Sequence, residues 1–483
     1  MNRFCWRSLV VLLLGALGAA APAAEPSGAS WALSPYRIHL LAAVESGGTL
    51  PPRLADELPA DVAAQGIVAA GGAWRIAPVK ASGDLQRAML ADIATVAAKD
   101  LPAEALGGDK VMLLAVRERP GGYRVAAREL DVATGLWNSA VIRDVPQSGQ
   151  VPLAALRAVL AAFAPLGRIE SARGGVATLK LRGGALVRSG RGQSLAAAGA
   201  VFRAVLLASD SQGKLQPGSA QPIDWTLLVT TSATATEASC RIETGLAGEA
   251  IPPYHPQRPR WALGITPPEG VTRLRLVATG SEDTPLEGCE VLAADGDSPG
   301  GELIGRSDSS GYVSVPSAGS AVRTLVVRRG RQQLARVPLV PGLAGEVSLA
   351  LPDDRQRLAI EAALAEIEDG LIDEIARREA LVARAKLAME ASDAATADTL
   401  KQQLGGLASM DPLVARLDQA ERAVKSADAA VQGALQPRVD ALRKGLAAVA
   451  AEKPLSRLDK PQPEDAQPDD AQATEASAGP AKR

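Results

Sequence analysis

The spacing of apolar residues changes abruptly at Pro352, and that change limits the folds open to this chain. Before Pro352, apolar residues come mainly in short runs broken by Gly-rich and polar turns, with two short stretches at helical spacing. After it, single apolar residues recur through Ile360, Leu364, Ile367, Leu371, Ile375, Val382 and Leu387, with charges between them. That period dictates a long amphipathic helix to about 391. Asp353 and Asp354 stand where a helix N-terminus favours acidic side chains. A second helical stretch, 393–408, carries Leu400, Leu404 and Leu407 on one face. Met410-Asp411-Pro412 breaks it, and a third helix follows through Leu413, Leu417, Ala420, Val424 and Val431. Pro437 is expected to interrupt or kink that helix. Residues 353–450 therefore read as an antiparallel helical hairpin or coiled coil. Its apolar stripe suits self-packing, self-association or a protein partner through 354–450. Residues 451–483 are mostly Pro, Asp, Glu, Gln and Ala, and are expected to be a disordered tail.

The N-terminal half of the chain is mixed. Residues 36–45 and 109–117 read as strands, and 84–99 and 151–163 place apolar side chains at helical spacing. Residues 121–130 and 136–143 flank Asp131-Val132-Ala133-Thr134-Gly135, a hairpin with a polar turn. This order gives an α/β domain over 31–165. Short apolar runs at 176–181, 200–207 and 225–230, separated by Gly turns, give a small β-barrel over 166–251. Residues 252–260 carry four prolines and read as an extended linker. Candidate strands at 272–278, 289–294, 302–306, 311–315, 322–328, 333–337 and 346–351 then give a β-sandwich over 262–351. The fold class is multidomain α+β, as 483 residues suggest three or four domains.

Three segments resemble known families. The turn Ser307-Asp308-Ser309-Ser310-Gly311, followed by Tyr312, lies between the strands of 285–316. It resembles the signature of the carboxypeptidase regulatory-like domain, here Asp308, Gly311 and Tyr312. That resemblance implies a transthyretin-like or immunoglobulin-like sandwich that stiffens, spaces or binds and carries no peptidase residues. Gly199 before Val201-Phe202 resembles the Gly-then-strand corner of SH3-like barrels. The pattern Tyr-x-Val-x-x-Arg-x-Leu-Asp-x-x-Thr-Gly at 123–135 resembles a hairpin in the small α/β domain of envelope proteins of the curli-secretion and translocation type. The whole chain resembles exported bacterial proteins.

The first residues agree with export. Arg3 and Arg7 precede an apolar run over 9–21, and small residues at 21–24 offer a cleavage site. This is the pattern of a secretory signal peptide, 1–24, and it implies a periplasmic or secreted protein. No later stretch approaches about 18 consecutive apolar residues, so no transmembrane segment is expected after cleavage. Cys240 and Cys289 remain. In an oxidising compartment they could form a disulfide, contributing roughly 4 kcal/mol in the chain-entropy model. Two separately buried thiols are the alternative.

Composition excludes some function classes. With 52 basic and 54 acidic residues, loss of Arg3 and Arg7 leaves 50 − 54 = −4, without the concentrated basic face that nucleic acid requires. No catalytic, cofactor or metal residues are assigned. The two histidines, His39 and His255, lack neighbours at metal-ligand spacing. Ser211-Gln212-Gly213-Lys214 has a Ser-x-x-Lys spacing but reads as a hairpin tip, and Asp295, Asp297 and Glu302 read as a solvated loop interrupted by Pro299. Arg323, Arg328, Arg329, Arg331 and Arg336 cluster around one hairpin, where a cell-envelope polymer could bind or where charge protects a sheet edge. The expectation is a non-enzymatic exported scaffold or protein-interaction factor. The alternative is a carbohydrate- or peptide-binding accessory protein with a site around Trp225, Trp261 and Tyr312. Exposed rings would favour the second reading and buried rings the first.

Overall fold

The computed structural model describes residues 31–45, 49–186, 195–210, 216, 219–294, 301–330, 332–407, 409–427, 429–452, 455 and 458. The signal-like segment 1–24, the 211–214 tip, Asp295, Asp297, Arg331 and the tail from 459 lie outside them. The fold is mixed α+β, with several sheets, a closed six-stranded barrel and C-terminal helices. Among the described residues, no helix is long and apolar enough to cross a membrane. The chain divides into two compact units, Met1–Pro352 and Asp353–Arg483.

In the first unit, Tyr36–Val44 (β1) pairs in parallel with Trp74–Val79 (β2) and with Lys110–Arg119 (β3). Strand β3 then turns antiparallel into Gly122–Asp131 (β4), which pairs with Leu136–Trp137 (β5) and Val141–Val145 (β6). The central strands are aliphatic because both faces of this sheet are covered. Pro52–Ala70 (α1) and Val151–Ala162 (α3) pack on one face, and Gly83–Asp92 (α2) on the other. Helix α2 is capped by Ser82, whose hydroxyl accepts from the Leu85 N–H, and it ends at Asp92 rather than at the expected 99.

Strands Leu166–Arg173 (β7), Val176–Leu181 (β8), Val201–Leu206 (β9), Gln221–Ala233 (β10), Glu237–Thr244 (β11) and Arg260–Ile265 (β12) close the barrel in the order β10-β11-β8-β7-β12-β9. Its sixth strand is thus drawn from beyond the boundary expected at 251. All of Arg260–Ile265 is buried, and it closes the ring between β7 and β9. Trp261 and Leu263 turn out of the barrel into the α1/α3 side of the first sheet, so the two modules share a core.

Two four-stranded sheets follow. Val271–Ala278 (β13) pairs with Ser281–Pro285 (β14), Tyr312–Pro316 (β17) and, in parallel, Glu346–Leu351 (β20). The second sheet runs Glu302–Arg306 (β16), Glu290–Ala294 (β15), Arg323–Arg329 (β18), Gln332–Leu339 (β19). Alternate residues of both sheets, among them Leu274, Leu276, Val291, Val313, Val327 and Leu349, meet in one core.

The second unit corrects the expected hairpin. Arg355–Glu390 (α4) packs against both Asp411–Ser426 (α6) and Ala429–Ala451 (α7), with Ile360, Leu364, Leu417, Val424, Val439 and Leu442 in a common core. Ala394–Gly405 (α5) folds back on the far end of α4 through Val382, Ala385, Leu400 and Leu404. Helix α7 runs through Pro437, because Leu435, Val439, Leu442 and Leu446 bury on the bundle and outweigh one lost backbone bond. The chain breaks after Ser426 instead.

Candidate functional site

The ionisable groups most displaced by their surroundings lie in the first sheet. Lys110, Glu129 and Asp131 come from neighbouring β3 and β4, and their side chains are inaccessible to solvent. The Lys110 ammonium donates to Glu129 Oε1 (2.7 Å) and to the Ala164 carbonyl (2.5 Å), and lies 2.9 Å from Asp131 Oδ2. The ammonium therefore has two hydrogen-bond acceptors and a second carboxylate within ion-pair distance. Glu129 Oε2 accepts from the Ala164 N–H and Asp131 Oδ1 from the Thr134 N–H, so the outer oxygens are used as well. The rings of Tyr36 and Phe163 close the cluster, with centroids 5.6 and 5.4 Å from Lys110 Nζ.

Burial opposes charge on Lys110, but Asp131 and Glu129 overcome it and hold the ammonium above the ordinary lysine range. Burial pushes Glu129 up to about 7 against the pull of Lys110, and pushes Tyr36 up to about 12. The Tyr36 hydroxyl accepts the Leu166 N–H (2.9 Å) as the chain enters the barrel. Nearby, Asp109 takes the guanidinium of Arg182 (2.8 Å) and the backbone N–H of Arg37. The cluster thus fastens the first sheet to α3 and to the barrel entry. It is sealed from any substrate.

An open site lies elsewhere in the same unit. A cleft of about 440 Å³ is lined by Trp137 of the first sheet, by Arg203, Asp224, Trp225 and Leu227 of the barrel, and by segments 338–340, 343–344 and 347–348 of the sandwich. Strand β9 sends Phe202 and Ala204 into the barrel core, so Arg203 points outward beside its register partner Leu227. Burial lowers the pKa of Arg203, with no carboxylate raising it. Trp225 has φ +53° at a bulge, where β10 loses its pairing with β9 between Pro222 and Leu227.

The residues singled out from sequence are dispersed. Cys240 lies in the barrel core and Cys289 in the sandwich core, so of the two alternatives the structure has separately buried thiols and no disulfide between them. Asp308 Oδ1 accepts from the Ser310 and Tyr312 N–H groups (2.9 Å each), and Gly311 at φ +80° lies so close to β13 that a Cβ would stand 2.4 Å from the Leu276 carbonyl. Of the three aromatic candidates, Trp261 is buried against Trp31, with centroids 4.8 Å apart. Tyr312 donates to Glu346 and stacks under Arg273 at 4.1 Å. Trp225 is half-buried at the cleft wall. His39 Nδ1 is 2.8 Å from the Ala105 carbonyl, and His255 accepts the Gln257 N–H on the surface. Glu302 lies 3.9 Å from Arg323, which also donates to the Pro316 carbonyl. Among the described residues, no group of three or more His, Cys, Asp or Glu is placed to hold a metal ion.

The buried triad and Arg203 were missed in the sequence. The available signals were a lysine opening an aliphatic strand, carboxylates two apart on β4, and an arginine inside Val-Phe-Arg-Ala-Val-Leu.

No family model matches the chain, and no curated protein matches it. Among solved structures, the crystal structure of TolB from Acinetobacter baumannii is a neighbour with 13% identity, covering 64% of this chain and 83% of that one, at a TM-score of 0.17. A score that low carries no argument about fold or function.

Proposed function

We propose that this chain is a non-enzymatic exported scaffold whose C-terminal helices contact a partner or a second copy. The observation that carries this reading is a groove of about 500 Å³ between α4 and α6. Ala359, Ile360, Ala363, Ile367, Ala420 and Ala423 give it an apolar lining, and the exposed Gln356, Glu366, Arg416 and Gln419 stand beside them. Ile372 and Leu387, 61% and 64% exposed, extend the apolar character of α4 outside the bundle core. An apolar groove on a helical bundle is the surface that an amphipathic helix fills. Two further observations support the scaffold. The helices form a compact unit of their own, and the strongest buried charges of the β-rich unit are committed to joining its modules.

The finer reading of the modules belongs to the same proposal. It takes residues 31–165 as an envelope-type α/β domain, the barrel as SH3-like, and the sandwich as carboxypeptidase regulatory-like, with Asp308, Gly311 and Tyr312 as its signature turn. The Asx-turn of Asp308 and the left-handed Gly311 agree with that signature. Export to the periplasm or medium rests on the signal-like residues 1–24.

Light scattering on the protein with and without 354–450 tests the scaffold. An oligomer that becomes monomeric on truncation makes the helices an assembly device. Pull-downs that lose a partner on truncation make them a docking device. A monomer in both forms, with unchanged pull-downs, overturns the proposal.

A further inference from the structure

Arg203 differs from the shielded arginines that the fold anchors; Arg275, half-buried as well, also makes no ion pair or side-chain hydrogen bond among the described residues, but it faces the Tyr312 ring, 5.7 Å from the centroid. Arg260 donates to the carbonyls of Pro252, Ile169 and Glu170. Arg128 donates to the carbonyls of Ile93, Ala94 and Val96 and stacks on Trp137 at 4.3 Å. Arg182 holds Asp109. Arg203 makes no ion pair or side-chain hydrogen bond among the described residues, yet it lines the cleft between barrel and sandwich. The apolar contact of Val201, Leu227, Ile265 and Val340 lies on the same outer barrel face and shields it further. A cation taken partly out of water without a partner costs free energy, and an entering anion recovers that cost.

A second feature of the cleft is independent of this one. Trp225 adopts a left-handed backbone, which costs a bulky residue of order 1–2 kcal/mol and which glycine would adopt freely. Strain of this kind persists where the side chain it positions is needed. Here it sets an indole against the sandwich core, where one side of it lines the cleft.

We propose that this cleft binds a carboxylate carried on a flat apolar body, with the carboxylate on the Arg203 guanidinium and the body against Trp225. A single planar fork matches the two oxygens of a carboxylate. Asp224 on the same cleft adds a negative charge, which disfavours a dianionic phosphate. A free aromatic acid and the C-terminal residue of a peptide offer the same chemistry. The inference sharpens the ligand-binding alternative at Trp225. It is tested apart from the scaffold reading, which turns on 354–450.

The test is calorimetric titration of the full chain with four probes: N-acetylphenylalanine, its amide, and the tripeptide Ala-Ala-Phe with a free or an amidated C-terminus. The acids are expected to bind roughly tenfold or more tighter than the matching amides, and Arg203→Gln is expected to remove that preference. Tighter binding of the tripeptide acid assigns a peptide C-terminus, and tighter binding of N-acetylphenylalanine assigns a small acid. Trp225→Gly, which keeps the backbone conformation without strain, should weaken both acids. Acid and amide binding alike, or neither acid binding at millimolar concentration, overturns the proposal. The acid–amide contrast on the unaltered chain decides the matter even where a variant fails to fold.

Discussion

Lys110 and Arg203 are two cations held within one β-rich unit, and the fold treats them oppositely. Lys110 is sealed, with two hydrogen-bond acceptors and two carboxylates for one charge. Arg203 stands half-buried in an open cleft and makes no ion pair among the described residues. A displaced ionisable group marks a functional site only by probability. The pair shows what divides the cases here. A saturated, inaccessible charge is part of the joinery, and an unsaturated, reachable one has capacity left for a ligand.

Breaking the first half of the comparison should have the largest effect. Lys110→Met leaves two carboxylates buried without their cation and should cost about 3–5 kcal/mol. Chemical denaturation followed by tryptophan fluorescence measures this. Adding Glu129→Gln to that variant should return part of the loss, since one uncompensated charge goes. A loss below about 1 kcal/mol for Lys110→Met would mean that water reaches the cluster.

The next effect is on pH dependence. Burial raises Glu129 from 4.5 to about 7, so the folded chain holds this proton more tightly than the unfolded chain. The associated stability is fully present below about pH 4.5 and is lost as pH rises to about 7. Of order 2 kcal/mol should disappear across that window, and Glu129→Gln should remove this contribution. Melting profiles of the two proteins between pH 5 and pH 8, taken in about 0.15 M salt, compare them directly. Parallel profiles would reject titration of Glu129 in that window.

The smallest effect should fall on the other cation. Arg203→Leu removes a charge that no described residue pairs with, so stability should stay within about 0.5 kcal/mol or rise slightly. A loss of 2 kcal/mol or more would make Arg203 a structural cation like Lys110 and erase the distinction.

Most sandwich strands were legible from short apolar runs, some alternating as in Val313 and Val315 of β17, but β14 was not foreseen and β18 buries the consecutive run Leu325-Val326-Val327. Helix α1 was not. It begins at Pro52, contains Pro59, and buries small residues such as Ala63 and Gly66, which leave little apolar period. The barrel boundary failed for a non-local reason. The prolines of 252–260 announce a linker, but whether the strand beyond them belongs to the module before or after depends on which sheet lacks a closing strand. The helical unit was read one helix short, because Pro437 drew the break away from the end of α6 at Ser426. The sealed triad depends on β3 and β4 pairing in register and on a carbonyl from Ala164, and neither is written locally. Trp225 was singled out from sequence, but its cleft is assembled from three modules.

The two thiols lend themselves to a further use. Cys240 belongs to the barrel core and Cys289 to the sandwich core, and both are inaccessible. Each therefore times the opening of its own module. In the chain lacking residues 1–24 they are the remaining cysteines, so a thiol reagent and a mass spectrometer read two clocks at once. Equal labelling rates would mean that barrel and sandwich open as one cooperative body. Unequal rates would identify which of them yields first.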